Sequence, residues 1–183
     1  MPSVFVAGSR ALSKLNAQIK ERLDNIVKQN FAVLVGDANG IDKAVQRYLA
    51  ERGYQNVVVY CMEVCRNNVG NWPARGHMAE SGLRHDRQYY TIKDLAMAKD
   101  ASCGFMIWDG KSKGTLTNVI NLVNADKKVL LYSAPKKHFF TLRTPGDLNS
   151  ALSASGIRDV AAFLASLGTK SPKSGHLDFA FRS

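Results

Sequence analysis

Apolar residues recur along this chain in two alternating rhythms. Five short, nearly continuous runs are rich in β-branched and aromatic residues: Val4–Ala7, Ala32–Val35, Val57–Tyr60, Phe105–Trp108 and Val129–Tyr132. Runs of that length without polar alternation predict parallel strands covered on both faces. Between them the apolar positions repeat at helical spacing. Leu12, Leu15, Ile19, Leu23, Ile26 and Val27 make one stripe, for which Ser13 is the expected N-cap. Ile41, Val45, Tyr48 and Leu49 make a second, which Gly53 would close. Leu116, Val119, Ile120 and Val123 make a third, and the segment from Asp86 to Lys99 is also expected to be helical.

This alternation is the signature of a doubly wound, Rossmann-like α/β domain: a parallel sheet of five or more strands with helices on both faces. One domain is expected over 1–168, with its core in 3–133 and a C-terminal extension in 134–168. In that extension Phe139–Leu142 reads as an added strand. Ile157, Val160, Ala161, Leu164 and Leu167 read as a short helix ending at Gly168. From Thr169 to Ser183 the chain is mostly polar and is expected to fray.

Composition narrows the class. The 183 residues are 45% hydrophobic, enough for one well-buried domain with little left for a second. No apolar run approaches the roughly 20 residues that span a bilayer. The start, Met1-Pro2-Ser3-Val4-Phe5-Val6, reads as a first strand rather than a signal peptide, so a cytoplasmic location without membrane partners is expected. Cys61, Cys65 and Cys103 form neither an even disulfide set nor a Cys-x-x-Cys pair, and free thiols are expected. No metal site is expected, because no histidine stands at ligand spacing from them. The net charge of +10, from 25 Lys and Arg against 15 Asp and Glu, invites a nucleic-acid partner. The basic residues are scattered, however, with only the doublets Lys127-Lys128 and Lys136-Lys137, so a solvated basic surface is the better reading.

In an open parallel sheet, ligands bind beyond the carboxyl ends of the strands. The residues that follow the runs are therefore the candidate site. Gly8-Ser9-Arg10 follows the first run, and Gly36-Asp37-Ala38-Asn39-Gly40-Ile41-Asp42 the second. Met62-Glu63 follows the third, and Asp109-Gly110-Lys111-Ser112-Lys113-Gly114-Thr115 the fourth, after Trp108. In that last turn the glycines, the Ser112 and Thr115 hydroxyls and a helix N-terminus all suit a bound anion. It is not a P-loop, since the Gly-Lys-Ser/Thr ending is absent. The long connection from Met62 to Asp86 holds Trp72, Pro73, Arg75, His77, Arg84 and His85. It reads either as a lid over this edge or as an irregular surface insertion.

Taken together, these turns resemble the SLOG superfamily, the Rossmann-like group that includes DprA-type proteins and the Lonely Guy phosphoribohydrolases, and within it the stand-alone YspA-like proteins. Gly8-Ser9-Arg10 matches the family's first glycine turn and Gly36–Asp42 its second, commonly Gly-Gly-Ala-x-Gly-x-Asp. Asp109–Thr115 is similar to its Gly-Gly-x-Gly-Thr phosphate loop, lengthened by an insertion. Lys93-Asp94-Leu95-Ala96-Met97 has the spacing of its Arg-Asn/Lys-x-x-Met helix. The resemblance covers Val4 to Tyr132. It implies a nucleotide-type ligand, either a nucleoside monophosphate or an NAD- or ADP-ribose-like molecule, with no separate cofactor.

Some members of the group cleave an N-glycosidic bond, and others bind and signal. In the phosphoribohydrolases an acidic pair follows Gly-Thr one residue on; here those positions are Thr117 and Asn118, and the helix arginine is Lys93. Cleavage proceeds through a cation-like sugar that needs a carboxylate, and losing one typically costs about 10²–10⁴ in rate. Asp37, Glu63 and Asp109 are the candidates to replace it, with Lys93 beside them. The expected binding set is Gly8, Ser9, Arg10, Gly36, Asp37, Gly40, Asp42, Trp108, Asp109, Gly110, Ser112, Gly114 and Thr115. Asp37 or Asp42 would hold ribose, Arg10 would offset charge, and Trp108, or Trp72 from the long connection, would stack on the base. Three functions follow: a nucleotide sensor or sequestering protein, a nucleotide N-glycosidase, and a single-stranded DNA-binding module of DprA type. Pairing of two copies is expected, because family members pair through helices.

Overall fold

A computed structural model describes residues 1–78 and 87–168. The chain runs β1 (Ser3–Gly8), α1 (Ala17–Lys28), β2 (Ala32–Gly36), α2 (Ile41–Glu51), β3 (Val57–Met62) and β4 (Ala74–His77). It continues through α3 (Arg87–Asp100), β5 (Cys103–Trp108), α4 (Lys113–Asn124), β6 (Val129–Ser133), β7 (His138–Leu142), α5 (Pro145–Ala154) and α6 (Val160–Ala165). The strands make one sheet in the order β4-β3-β2-β1-β5-β6-β7, parallel except for β7, which runs antiparallel to β6. The five apolar runs are all strands, and both faces of the sheet are covered. Phe5 and Ala7 pack with α4 residues on one face, while Val4 and Val6 pack with Ile19, Leu23 and Val45 on the other. Burial on both sides is why the runs carry no polar alternation.

β1 lies between β2 and β5, and the chain leaves it first toward one edge of the sheet and later toward the other. That reversal opens a crevice beyond the strand ends. Gly8 pairs in register with Ile107, so the turns after β1 and β5 emerge side by side.

Several expected features are corrected. Helix α1 starts four residues after Ser13: Asn16 is its N-cap, and its Oδ1 accepts from the Ile19 amide at 2.9 Å. The same side chain donates to the Tyr132 hydroxyl at 2.6 Å, which holds the cap against β6. Leu12 and Leu15 precede the helix as loop residues packed against the core. The connection after Met62 contains strand β4, which pairs with β3. Cys61 and Cys65 are joined as a disulfide across the turn that follows β3, with Cα atoms 5.0 Å apart, whereas Cys103 is a free thiol as expected. Helix α5 adds an element between β7 and α6. Its N-terminus carries a capping box, in which Thr144 accepts from the Asp147 amide and Asp147 accepts from the Thr144 amide. Among the described residues, no helix is long and apolar enough to cross a membrane. Asp86, Arg84, His85 and the segment from Thr169 onward lie outside the described residues.

Candidate functional site

The turns after β1 and β5 are tied to each other. Ser9 is fully buried, and its Oγ accepts from the Asp109 amide at 3.1 Å and meets the Thr115 hydroxyl at 3.4 Å. Asp109 Oδ1 in turn accepts from the amides of Lys111 and Ser112, at 2.9 and 2.7 Å. Burial alone would raise the Asp109 carboxyl, but these hydrogen bonds hold it below its ordinary range. Gly110 has φ of +88°, which a side chain would strain. Ser112 then caps α4, with its Oγ accepting from the Thr115 amide at 3.4 Å. The Ser112 and Thr115 amides are thus engaged within the turn, while Lys113 and Gly114, between them, line a cleft.

The cleft has a volume of about 600 Å³ and follows the carboxyl ends of β1 and β2 between α3 and α4. Gly8, Arg10, Asp42, Lys93, Ser112, Gly114 and Thr115 line it, so the structure brings these sequence-predicted residues together. A Cβ added to Gly114 would meet no atom within 4 Å, leaving open space above the first turn of α4. At the other turns the glycines serve close approach. A Cβ on Gly8 would lie 2.5 Å from the Ile107 carbonyl oxygen, and one on Gly40 would lie 2.5 Å from the Arg10 backbone.

The floor of the cleft is a network of titratable groups. Lys93, only 3% exposed, sets its Nζ 3.0 Å from Asp94 Oδ1 and 3.7 Å from Asp37 Oδ1. Burial would lower this amine, yet the carboxylates of Asp94, Asp42 and Asp37 raise it above its ordinary value, so it stays charged. A side chain on Gly36 would collide with the Asp42 carboxylate and come within 2.9 Å of Lys93 Nζ; the network occupies the space that glycine leaves. Burial pushes Asp42 up to about 7, with Lys93 opposing. Asp37 takes a two-pronged hold on Arg66, with Nη2 to Oδ1 at 2.7 Å and Nε to Oδ2 at 3.1 Å. Burial raises the Asp37 carboxyl, but the Arg66 hydrogen bonds outweigh it and leave the group below its ordinary range.

Other expected residues have different places. Trp108 is fully buried in the core, where its ring packs near Phe163 and its indole N–H donates to the Ser112 carbonyl at 3.2 Å. Trp72 is 4% exposed and donates to the Tyr54 carbonyl at 2.8 Å. Neither ring is available for stacking on a base, which corrects that expectation. Among the candidate carboxylates, Asp109 is committed to its turn, and Glu63 is exposed at the end of β3, where it bonds to Tyr89. Asp37 sits under Arg66 rather than at the cleft surface. The carboxylate that does line the cleft beside Asp42 is Asp94, held by Lys93 and by Asn118 Nδ2 at 3.4 Å.

Sequence reasoning missed Arg66, Tyr90 and Asp94 as cleft residues. Asp94 was within reach of it: the Lys93–Met97 spacing already placed this residue beside a candidate lysine. Arg66 is also held at the cleft through its backbone, since its own amide donates to Asp37 at 3.0 Å and Asn67 donates to the Asp37 carbonyl at 2.8 Å. That packing draws the start of the long connection inward.

No protein-family model matches the chain, and a search of curated proteins finds no match. Solved structures do match. DNA processing protein A from Streptococcus pneumoniae aligns with a TM-score of 0.54 at 19% identity, over 71% of this chain and 50% of that one. The Helicobacter pylori DNA processing protein A, whose structure describes a single-stranded DNA binding mode, aligns with a TM-score of 0.57 at 13% identity, over 91% of this chain and 80% of that one. This chain therefore shares the Rossmann-like α/β fold of these two DNA processing protein A structures, and it spans half the length of the Streptococcus pneumoniae protein.

Proposed function

We propose that the cleft binds a nucleoside phosphate, or an NAD- or ADP-ribose-like molecule, with its phosphate at the N-terminus of α4, and that the protein acts as a sensor or sequestering protein of the stand-alone YspA-like kind. The observation that carries this reading is the open space over Gly114, at the switch point of the sheet, in a cleft shared with Arg10 and Lys113. The first-turn amides and helix dipole favour an anion there, and the two cations add to that field. Asp42 and Asp94 supply acceptors for ribose hydroxyls in the same cleft.

A thermal-shift screen against nucleoside mono-, di- and triphosphates, NAD and ADP-ribose tests the reading. At least one compound is expected to raise the unfolding midpoint saturably; no shift across the panel contradicts it. An N-glycosidase would use the same cleft, with Asp94 as the carboxylate nearest to hand. Incubation with the compounds that bind, followed by chromatography for free base, separates the two. Base release identifies the enzyme, and binding without release identifies the sensor.

Single-stranded DNA binding is the second reading. It is favoured by the likeness to the Helicobacter pylori protein and by the net charge of +10. It requires affinity that falls with salt by roughly 0.7 powers of salt concentration per phosphate neutralised, and a flat salt response removes it.

A further inference from the structure

The cleft is larger than a phosphate needs, and its far end is built differently from the α4 end. There Arg66 lines the wall with a side chain 38% exposed, fixed in plane by the two-pronged bond to Asp37. Its guanidinium carbon lies 4.4 Å from the centroid of the Tyr90 ring, and Tyr90 lines the same cleft. Tyr90 is in turn braced edge-on by the buried Tyr89, with centroids 5.1 Å apart. A flat cation laid over an aromatic ring, its charge already matched by a buried carboxylate, is a poor second phosphate site. It is a good stacking surface, because a guanidinium plane pairs with heteroaromatic rings and a paired one has already lost much of its hydration.

We propose that Arg66, held by Asp37 and backed by Tyr90, is the surface on which the heteroaromatic base of a nucleoside phosphate stacks. This rests on the phosphate-binding reading of the α4 end and gives the ligand its orientation: phosphate toward Gly114, base toward Arg66. It also replaces Trp108 and Trp72, whose rings are buried. Stacking of this kind accepts any base, so the surface selects for the presence of a base rather than for its identity.

The test compares ligands on the full chain by calorimetry: the four common nucleoside 5′-monophosphates against ribose 5-phosphate and inorganic phosphate. The nucleotides are expected to bind about tenfold to a hundredfold more tightly than ribose 5-phosphate. Arg66→Lys keeps a cation for Asp37 but removes the plane, and is expected to shrink that ratio to within about threefold. Tyr90→Leu is expected to shrink it in the same direction, and Tyr90→Phe to preserve it. Equal affinity of the wild-type chain for nucleotides and ribose 5-phosphate overturns the stacking surface while leaving the phosphate site standing. An unchanged ratio in Arg66→Lys overturns it as well. Absence of binding by every compound overturns both.

Discussion

Lys93 Nζ lies 3.7 Å from Asp37 Oδ1, and neither side chain is more than 4% exposed. This contact joins α3 to the end of β2 under the floor of the cleft. The ammonium is also the nearest counter-charge for Asp94, at 3.0 Å. Removing one partner of a buried pair leaves uncompensated charge, at a cost of about 3–5 kcal/mol. Lys93→Met is therefore expected to destabilise the fold by an amount in that range, measured by urea unfolding. A change below about 1 kcal/mol would mean that the network does not hold the floor.

Asp42 gives stability a distinctive pH dependence. Burial holds its carboxyl at about 7, against an ordinary value of 3.8. Between those values the folded chain keeps a proton that the unfolded chain releases. Stability should therefore fall as pH rises from about 4 to about 7, and level off above that. Asp37 acts in the opposite sense: its folded value is depressed, so its contribution is lost as pH falls below the ordinary carboxylate range. Asp42→Asn is expected to flatten the profile between about pH 4 and 7 while leaving the acid limb in place. Unfolding midpoints recorded across that range check this, and an unchanged slope in the variant refutes it.

Two glycines should respond oppositely to the same substitution. At Gly36 a methyl group would meet the Asp42 carboxylate and Lys93, so Gly36→Ala is expected to cost about 1–3 kcal/mol. At Gly114 the methyl meets nothing within 4 Å, and Gly114→Ala should leave stability unchanged or raise it by up to about 1 kcal/mol, through helix propensity. Thermal unfolding of the two variants side by side shows whether their signs separate.

Trp108 stands at the end of β5, where a stacking residue was expected, yet its ring belongs to the core. Trp108→Ala is expected to cost about 3–5 kcal/mol, whatever it does to binding. Trp108→Phe should keep most of the stability and bind ligand like the wild-type chain. Selective loss of binding in the phenylalanine variant, with stability intact, would restore the ring to the site.

The strands were legible because a sheet buried on both faces leaves unbroken apolar runs, as in Val4–Ala7 and Val129–Tyr132. β4 was not, because Ala74-Arg75-Gly76-His77 is an exposed edge strand with nothing to bury on its outer side. Leu12 and Leu15 share the helical stripe and so pull the expected cap back to Ser13, whereas in the fold they pack from the preceding loop and Asn16 caps the helix. α5 did carry a local signal: Thr144-Pro145-Gly146-Asp147 is a capping box with proline at the first helical position. The α4 turn was legible because its residues are consecutive. The Arg66 end was not, because it depends on Asp37, 29 positions earlier, and on Tyr90 from another helix. No local pattern encodes such a meeting.

A phosphate bound over Gly114 would be displaced by a second anion fixed at the same place. Isothermal calorimetry of the full chain and of Gly114→Asp, with the tightest nucleoside phosphate from the screen, tests it most directly. The variant places a carboxylate in open space at the helix N-terminus, where it competes with an anionic ligand without crowding the fold. The expected result is saturable binding by the wild-type chain, weakened at least about tenfold in the variant, with the unfolding midpoint held within a few degrees. Equal affinity in the two proteins would contradict the account.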